Sequence, residues 1–214
     1  MRSFRHWKPT YIRNHIVEII YQKRFPDHPW LTRTANLILS SYLRNSDYGF
    51  EWGSGQSTLW FSQRVSSLIS IEHDPIWYDK ILKKLNEKKI GNVKYLFYKY
   101  NSNLDDERKG INTEYVQAIQ RFPEGKIDFV LIDGVYRSAC AIVALERIRP
   151  GGILIVDNIN WYLPSSSMSP NSRSYEQGPV SQEWAEFQAA VRNWRCIWTS
   201  NGVTDTTLWL KPCL

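Results

Sequence analysis

Cysteine is scarce and unpaired: Cys140, Cys196 and Cys213 stand far apart in 214 residues, with no C-x-x-C. A disulfide framework and a zinc knuckle are thereby excluded, and a reducing, cytoplasmic setting is the expectation. No stretch approaches the roughly 18 apolar residues that a membrane-spanning helix needs. The basic start, MRSFRHWKPTYIRNHIVEII, has only a short apolar run broken by Glu18, so it lacks the apolar centre of a secretory leader. Glycine and proline, 11 and 10 residues, are too few for a collagenous or low-complexity chain. The four histidines, His6, His15, His28 and His73, form no ligand cluster.

What is present suits one globular domain. Apolar residues make up 43% and charged residues 22%, enough to build a core and too little charge for disorder. The net charge is +6, and its distribution matters more than its size. Residues 1–34 hold seven basic residues against Glu18 and Asp27, whereas the remaining residues are almost balanced. The boundaries expected are a basic helical arm or cap at 1–46 and a catalytic-type domain at 47–214. The arm would contact an anionic ligand, a partner or a membrane surface, or lie over the ligand-binding side as a solvated helical cap. Nucleic acid is not the expected partner, because the charge is confined to that arm. The ten tryptophans are scattered, which suits core and groove packing.

Two amphipathic helices are expected near 11–23 and 31–44, separated by Pro26 and Pro29. From residue 48 short apolar runs alternate with helical stretches. GFEW precedes TLWFSQRV, LISIE precedes PIWYDKILKKLNE, VKYLFYKY precedes EYVQAIQRF, IDFVLID precedes SACAIVALERI, and GILIVD follows. Parallel neighbours need long crossovers that helices supply, so the expectation is an α/β, Rossmann-like, doubly wound sheet. RCIWTS and TTLWLKP, joined through Asn201-Gly202, read as a closing antiparallel hairpin.

The first strand runs directly into Gly53-Ser54-Gly55-Gln56-Ser57 and a helix. Glycines there permit positive φ and a close backbone approach to a ligand, and a capping hydroxyl leaves helix amides facing an anion. A tight strand-to-helix turn would use the same residues. Thr58 occupies the place of the third glycine in G-x-G-x-x-G, which weakens a dinucleotide reading. Glu72 ends the second strand, beside His73, where a carboxylate can accept from both hydroxyls of a ribose.

Glu51-x-Gly53-x-Gly55-x-Ser57 resembles the acidic glycine motif of class I S-adenosylmethionine-dependent methyltransferases. The acidic end of strand two, the LIDG at strand four, the RPGG before strand five and the final hairpin follow that family's order. The resemblance implies a seven-stranded sheet of order 3-2-1-4-5-7-6 with an antiparallel last pair. It further implies that Glu51, Gly53, Ser54, Gly55, Ser57, Glu72, His73 and Asp133 bind S-adenosylmethionine, with residues 101–104 near the adenine.

Asp133, Asp157 and Asn158 end strands four and five on the edge where such sheets bind ligands. This all-oxygen set suits Mg²⁺ and resembles the metal ligands of catechol and caffeoyl-coenzyme A O-methyltransferases, although Asp157-Asn158 also suits a turn cap. Those enzymes carry a lysine shortly after the first ligand, where this chain has Gly134-Val135-Tyr136-Arg137. Arginine does not deprotonate, so Arg137 would clamp an anionic substrate or make an ion pair. The expected activity is O-methylation of a small-molecule or glycan hydroxyl, with Mg²⁺ assisting and Asp133 and Arg137 catalytic. A nucleic-acid methyltransferase lacks its N-methylating signature here, since strand four leads into DGVY rather than D/N-P-P-Y. A non-catalytic cofactor-binding partner protein is the other alternative. The 161–179 loop is expected as a lid, with Trp161, Tyr162, Met168, Arg173 and Tyr175 lining an acceptor pocket.

Overall fold

A computed structural model describes residues 8–99 and 110–213. Residues 101–104, expected near an adenine, lie outside the described residues. Helices α1 (Pro9–Arg24) and α2 (Arg33–Tyr42) precede β1 (Tyr48–Trp52), α3 (Gln56–Ser62), β2 (Ser67–Glu72), α4 (Pro75–Glu87) and β3 (Val93–Phe97). There follow α5 (Glu114–Gln117), β4 (Ile127–Ile132), α6 (Arg137–Arg147), β5 (Ile148–Asp157), α7 (Gln182–Ala190), β6 (Arg195–Ser200) and β7 (Asp205–Leu210). The sheet order is β3-β2-β1-β4-β5-β7-β6, and β7 alone runs antiparallel to its neighbours, as the family resemblance implies.

Strand alternation produces a three-layer domain, because both faces of the sheet are apolar. Phe129 and Leu131 of β4 and Ile153 and Ile155 of β5 bury against Trp60 and Phe61 of α3. Val130, Ile132, Leu154 and Val156 bury on the opposite face with Ala141 and Ala144 of α6 and Trp184 and Phe187 of α7. Leu31, Ala35 and Leu39 join the first of these clusters, so α2 packs as part of the body. Local signals set the helix starts: Thr32 accepts from the Ala35 amide, and Asp74 from Trp77 with Pro75 following. β5 begins at Ile148, four residues earlier than GILIVD suggests. Its Pro150–Gly152 stretch is accommodated by a register shift between Ile127 and Phe129.

The hairpin closes through a four-residue loop in which Asn201 Oδ1 accepts from the Val203 and Thr204 amides. The 161–179 loop is more ordered than expected. Asn160 donates to the Pro170 carbonyl and Ser172, Arg173 Nε donates to the Gly178 carbonyl, and Ser169 donates to Asp205. Tyr162 stacks on buried Trp184 at 4.7 Å, so it and Arg173 serve the loop's own packing. Trp161, Met168 and Tyr175 remain outward. Among the described residues, no helix is long and apolar enough to cross a membrane.

Candidate active site

The carboxyl ends of β1, β2, β4 and β5 converge. Gly53 sits at φ +89, and a Cβ there would lie 2.6 Å from the Asp133 carbonyl carbon and the Gly134 amide. Glycine is therefore demanded where the ends of β1 and β4 touch, joined by Asp133 N donating to Trp52 O at 2.8 Å. Gly55 differs. Its backbone is extended, and an added Cβ would meet nothing closer than Trp77 Nε1 at 3.8 Å. The fold leaves that cradle open.

Beneath the loop, Glu51 is fully buried and accepts from the hydroxyls of Ser57, Thr58 (2.6 Å) and Ser70 (2.7 Å). Thr58 in turn accepts from the Gly55 amide at 3.0 Å. Glu51 and Ser57 thus brace the glycine loop from below. Beside the loop, Glu72 Oε2 accepts from the Ser54 amide (3.0 Å) and hydroxyl (2.6 Å), and Oε1 accepts from the His73 and Asp74 amides. His73 Nδ1 lies 3.0 Å from the same oxygen. The Tyr95 hydroxyl, 2.7 Å from Ser54 Oγ, completes a relay toward Glu72. A ribose at Glu72 would replace the Ser54 hydroxyl, which one side-chain rotation releases.

Two cavities flank this loop. One of about 450 Å³ is lined by Gly53, Ser54, Glu72, His73, Asp74, Ile76, Trp77 and Asp133. The other, about 240 Å³, includes Trp30, Ser54, Gly55, Trp77, Lys80 and Asp133. Trp77, which donates to the Ser54 carbonyl at 2.7 Å, borders both. Neither Trp77 nor Tyr95 was marked by sequence reasoning. The first lies one turn beyond the Asp74 cap, and the second on β3, two strands from the loop.

Arg137 occupies the ground expected for a metal. Its Nη2 donates to the Asp133 carbonyl and to Asp133 Oδ1, each at 3.0 Å. Nη1 donates to the Asp157 carbonyl (2.6 Å) and to Asn158 Oδ1 (3.1 Å), and Nε donates to the Gly134 carbonyl (2.8 Å). All five guanidinium N–H groups are spent within the protein, and the side chain is only 11% exposed. No donor is left to clamp a substrate, and of the two roles expected for Arg137 the structure shows the ion pair, with Asp133. Asp157 Oδ1 accepts from Thr206 at 2.6 Å, and Asn158 Nδ2 donates to Thr204. Of the Mg²⁺ set, Asp133 Oδ1 and Asn158 Oδ1 are thus taken by the fixed guanidinium and Asp157 Oδ1 by the Thr206 hydroxyl, an arrangement that does not fit a divalent ion. Among the described residues, no group of three or more His, Cys, Asp or Glu side chains is placed to hold a metal. Tyr136 and Asn158 adopt left-handed backbone conformations on either side of this cluster (φ 49 and 52), strain held by the packed strand ends.

The domain's model match is to a family described as a methyltransferase domain, over residues 50–159, more than half of the chain. The chain belongs to this methyltransferase family. The expected S-adenosylmethionine-dependent class I fold and activity class are thereby met. The methyltransferase resembles a Streptococcus mutans protein solved with S-adenosylhomocysteine (TM-score 0.51, 15% identity), covering 85% of this chain and 99% of that one. It also resembles an rRNA methylase from Streptococcus thermophilus (0.53, 12%; 86% and 100%). A third likeness is to the N-methyltransferase NodS of Bradyrhizobium japonicum (0.50, 11%; 89% and 97%). At these identities the likeness is one of fold. No sequence among curated proteins matches the chain.

The carboxyls of the site give the methyltransferase a distinctive pH dependence. Burial, against three hydroxyl donors, pushes Glu51 up to about 7, and burial together with Asp133 pushes Asp157 up to about 8. Unfolded, both groups lose their protons near pH 4. Between about pH 4 and 8 the folded state therefore holds protons the unfolded chain lacks, and stability falls as pH rises. Glu72 acts oppositely. Burial alone would raise it, but donors from His73, Asp74 and Ser54 hold it at about 2, so its contribution is lost only as pH falls below about 4. The thermal midpoint is expected to peak near pH 4 and decline toward pH 8, with Asp157→Asn flattening the decline, as differential scanning fluorimetry across pH will read. A midpoint that rises steadily from pH 5 to 8 contradicts this assignment.

Proposed function

We propose that the chain methylates a hydroxyl of a small molecule or glycan, without a metal, using S-adenosylmethionine held over the glycine loop. The observation that carries this reading is Gly55: the fold does not require glycine there, yet its open cradle faces a cavity that also reaches Asp133. Gly53, Ser54 and Gly55 would carry the methionine end, and Glu72, released from Ser54, the ribose, with His73 and Asp74 beside it. Glu51 and Ser57 hold the loop rather than the ligand. The fold relative solved with S-adenosylhomocysteine is consistent with this placement.

The cofactor supplies a sulfonium methyl when bound. Asp133 borders both cavities, and burial raises its carboxyl against the opposing pull of Arg137, which suits it to receive a proton from an acceptor hydroxyl. Transfer of that methyl to an acceptor oxygen would leave the thioether S-adenosylhomocysteine, and Asp133 would take up the proton that the hydroxyl gives up. Arg137 fixes one carboxylate oxygen and so acts as a positioning residue. Alignment is the protein's main contribution to such a displacement.

Incubation with S-adenosylmethionine, chelator and a panel of catechols, phenols and sugars, read by mass spectrometry, tests the proposal. Methylation on oxygen that persists in chelator is expected. Turnover restored only by Mg²⁺, or confined to RNA, overturns it.

A further inference from the structure

Helix α1 is turned with its polar stripe inward. Tyr11, Asn14, Glu18 and Tyr21, at helical spacing, face the domain, and the apolar stripe faces out. Glu18 is 6% exposed, accepting from Asn201 Nδ2 at 2.9 Å and facing Arg33 Nε at 3.4 Å. Asn14 packs so closely on the hairpin loop that a Cβ on Gly202 would fall 2.1 Å from its Nδ2. These contacts fix the helix's rotation. Ile12, Ile16, Ile19 and Ile20 are consequently 41%, 52%, 40% and 59% exposed on the opposite side. Such a contiguous apolar face on a soluble domain marks a contact surface.

The charges beside it identify the occupant. Lys8, Arg13, Lys23 and Arg24 are all exposed along this helix, and its only acid, Glu18, is turned inward and paired. We infer that α1 docks in the plane of an anionic lipid surface, its isoleucines entering the acyl boundary and its basic residues meeting anionic headgroups. A second copy of the chain fits less well, since pairing two such faces sets cationic flanks together with no acid on the face to offset them. The attachment is peripheral, because α1 has 16 residues and, among the described residues, no helix can cross a membrane. This inference is independent of the proposed acceptor.

Flotation of the full-length chain with phosphatidylcholine vesicles, and with mixed phosphatidylcholine–phosphatidylglycerol vesicles, tests it. The chain is expected to float with the anionic vesicles only, and to be released by salt. Each basic residue near such a surface is worth roughly fivefold in partitioning, so Arg13→Gln, Lys23→Gln and Arg24→Gln together should weaken it roughly a hundredfold. Ile16→Asp with Ile20→Asp should abolish flotation while leaving the thermal midpoint and S-adenosylhomocysteine affinity unchanged. Absence of flotation, equal flotation with neutral vesicles, or a dimer in sedimentation that Ile16→Asp splits would overturn the inference.

Discussion

Replacing Arg137 with alanine is expected to lower the thermal midpoint by roughly 10 °C and to abolish methyl transfer. The guanidinium accounts for five hydrogen bonds that join the end of β4 to the end of β5. Its removal strands the Asp133 carboxylate, three main-chain carbonyls and Asn158 Oδ1 in a largely buried site. Breaking a buried ionic network by deleting one partner typically costs about 3–5 kcal/mol, and a domain of this size shifts by roughly 2–4 °C for each kcal/mol. Arg137→Lys keeps the charge but has only three donors on one nitrogen, so a smaller loss of stability is expected. Because the cation is built in, added Mg²⁺ should leave the wild-type midpoint unchanged. A clear rise in that midpoint with Mg²⁺, or an Arg137→Ala chain as stable as wild type, would show that the strand ends are held differently.

The second large effect separates two glycines that differ in the space around an added Cβ. Gly53→Ala puts a Cβ 2.6 Å from Asp133 and Gly134 main-chain atoms at φ +89, where L residues are disfavoured. The ends of β1 and β4 must part, and the expected cost is about 3 kcal/mol or more, with loss of cofactor binding. Gly55→Ala meets only ordinary contacts, and stability should change by less than about 1 kcal/mol. Its methyl group nevertheless fills the cradle, so S-adenosylhomocysteine affinity should fall at least tenfold. Thermal melting and calorimetry on both variants read this split. Equal stability loss in the two, or full affinity in Gly55→Ala, would remove Gly55 from the cofactor site.

Much of the fold was legible because β4 and β5 bury alternate residues on both faces and so read as short apolar runs between helices. The glycine loop was legible for a similar reason, since positive φ and close approach restrict residue type locally. The role of Arg137 was not. Its five acceptors come from residues 133, 134, 157 and 158, on two strand ends that only the folded sheet brings together. The order of the 161–179 loop rests on side-chain bonds to main chain and to the hairpin, which have no periodicity to detect. Glu72 was placed correctly at the strand end, but its occupation by Ser54 depends on a rotamer. Helix α1 shows the converse limit: its apolar period marks a helix, yet Glu18 and Asn14 decide which side turns inward.

Calorimetric titration of S-adenosylhomocysteine into the wild-type chain in the presence of chelator tests the cofactor site most directly. Saturable binding in the micromolar range, weakened by Gly55→Ala with an unchanged thermal midpoint, is the expected result. No binding, or binding that appears only when Mg²⁺ is supplied, would contradict a metal-free site built on the glycine loop.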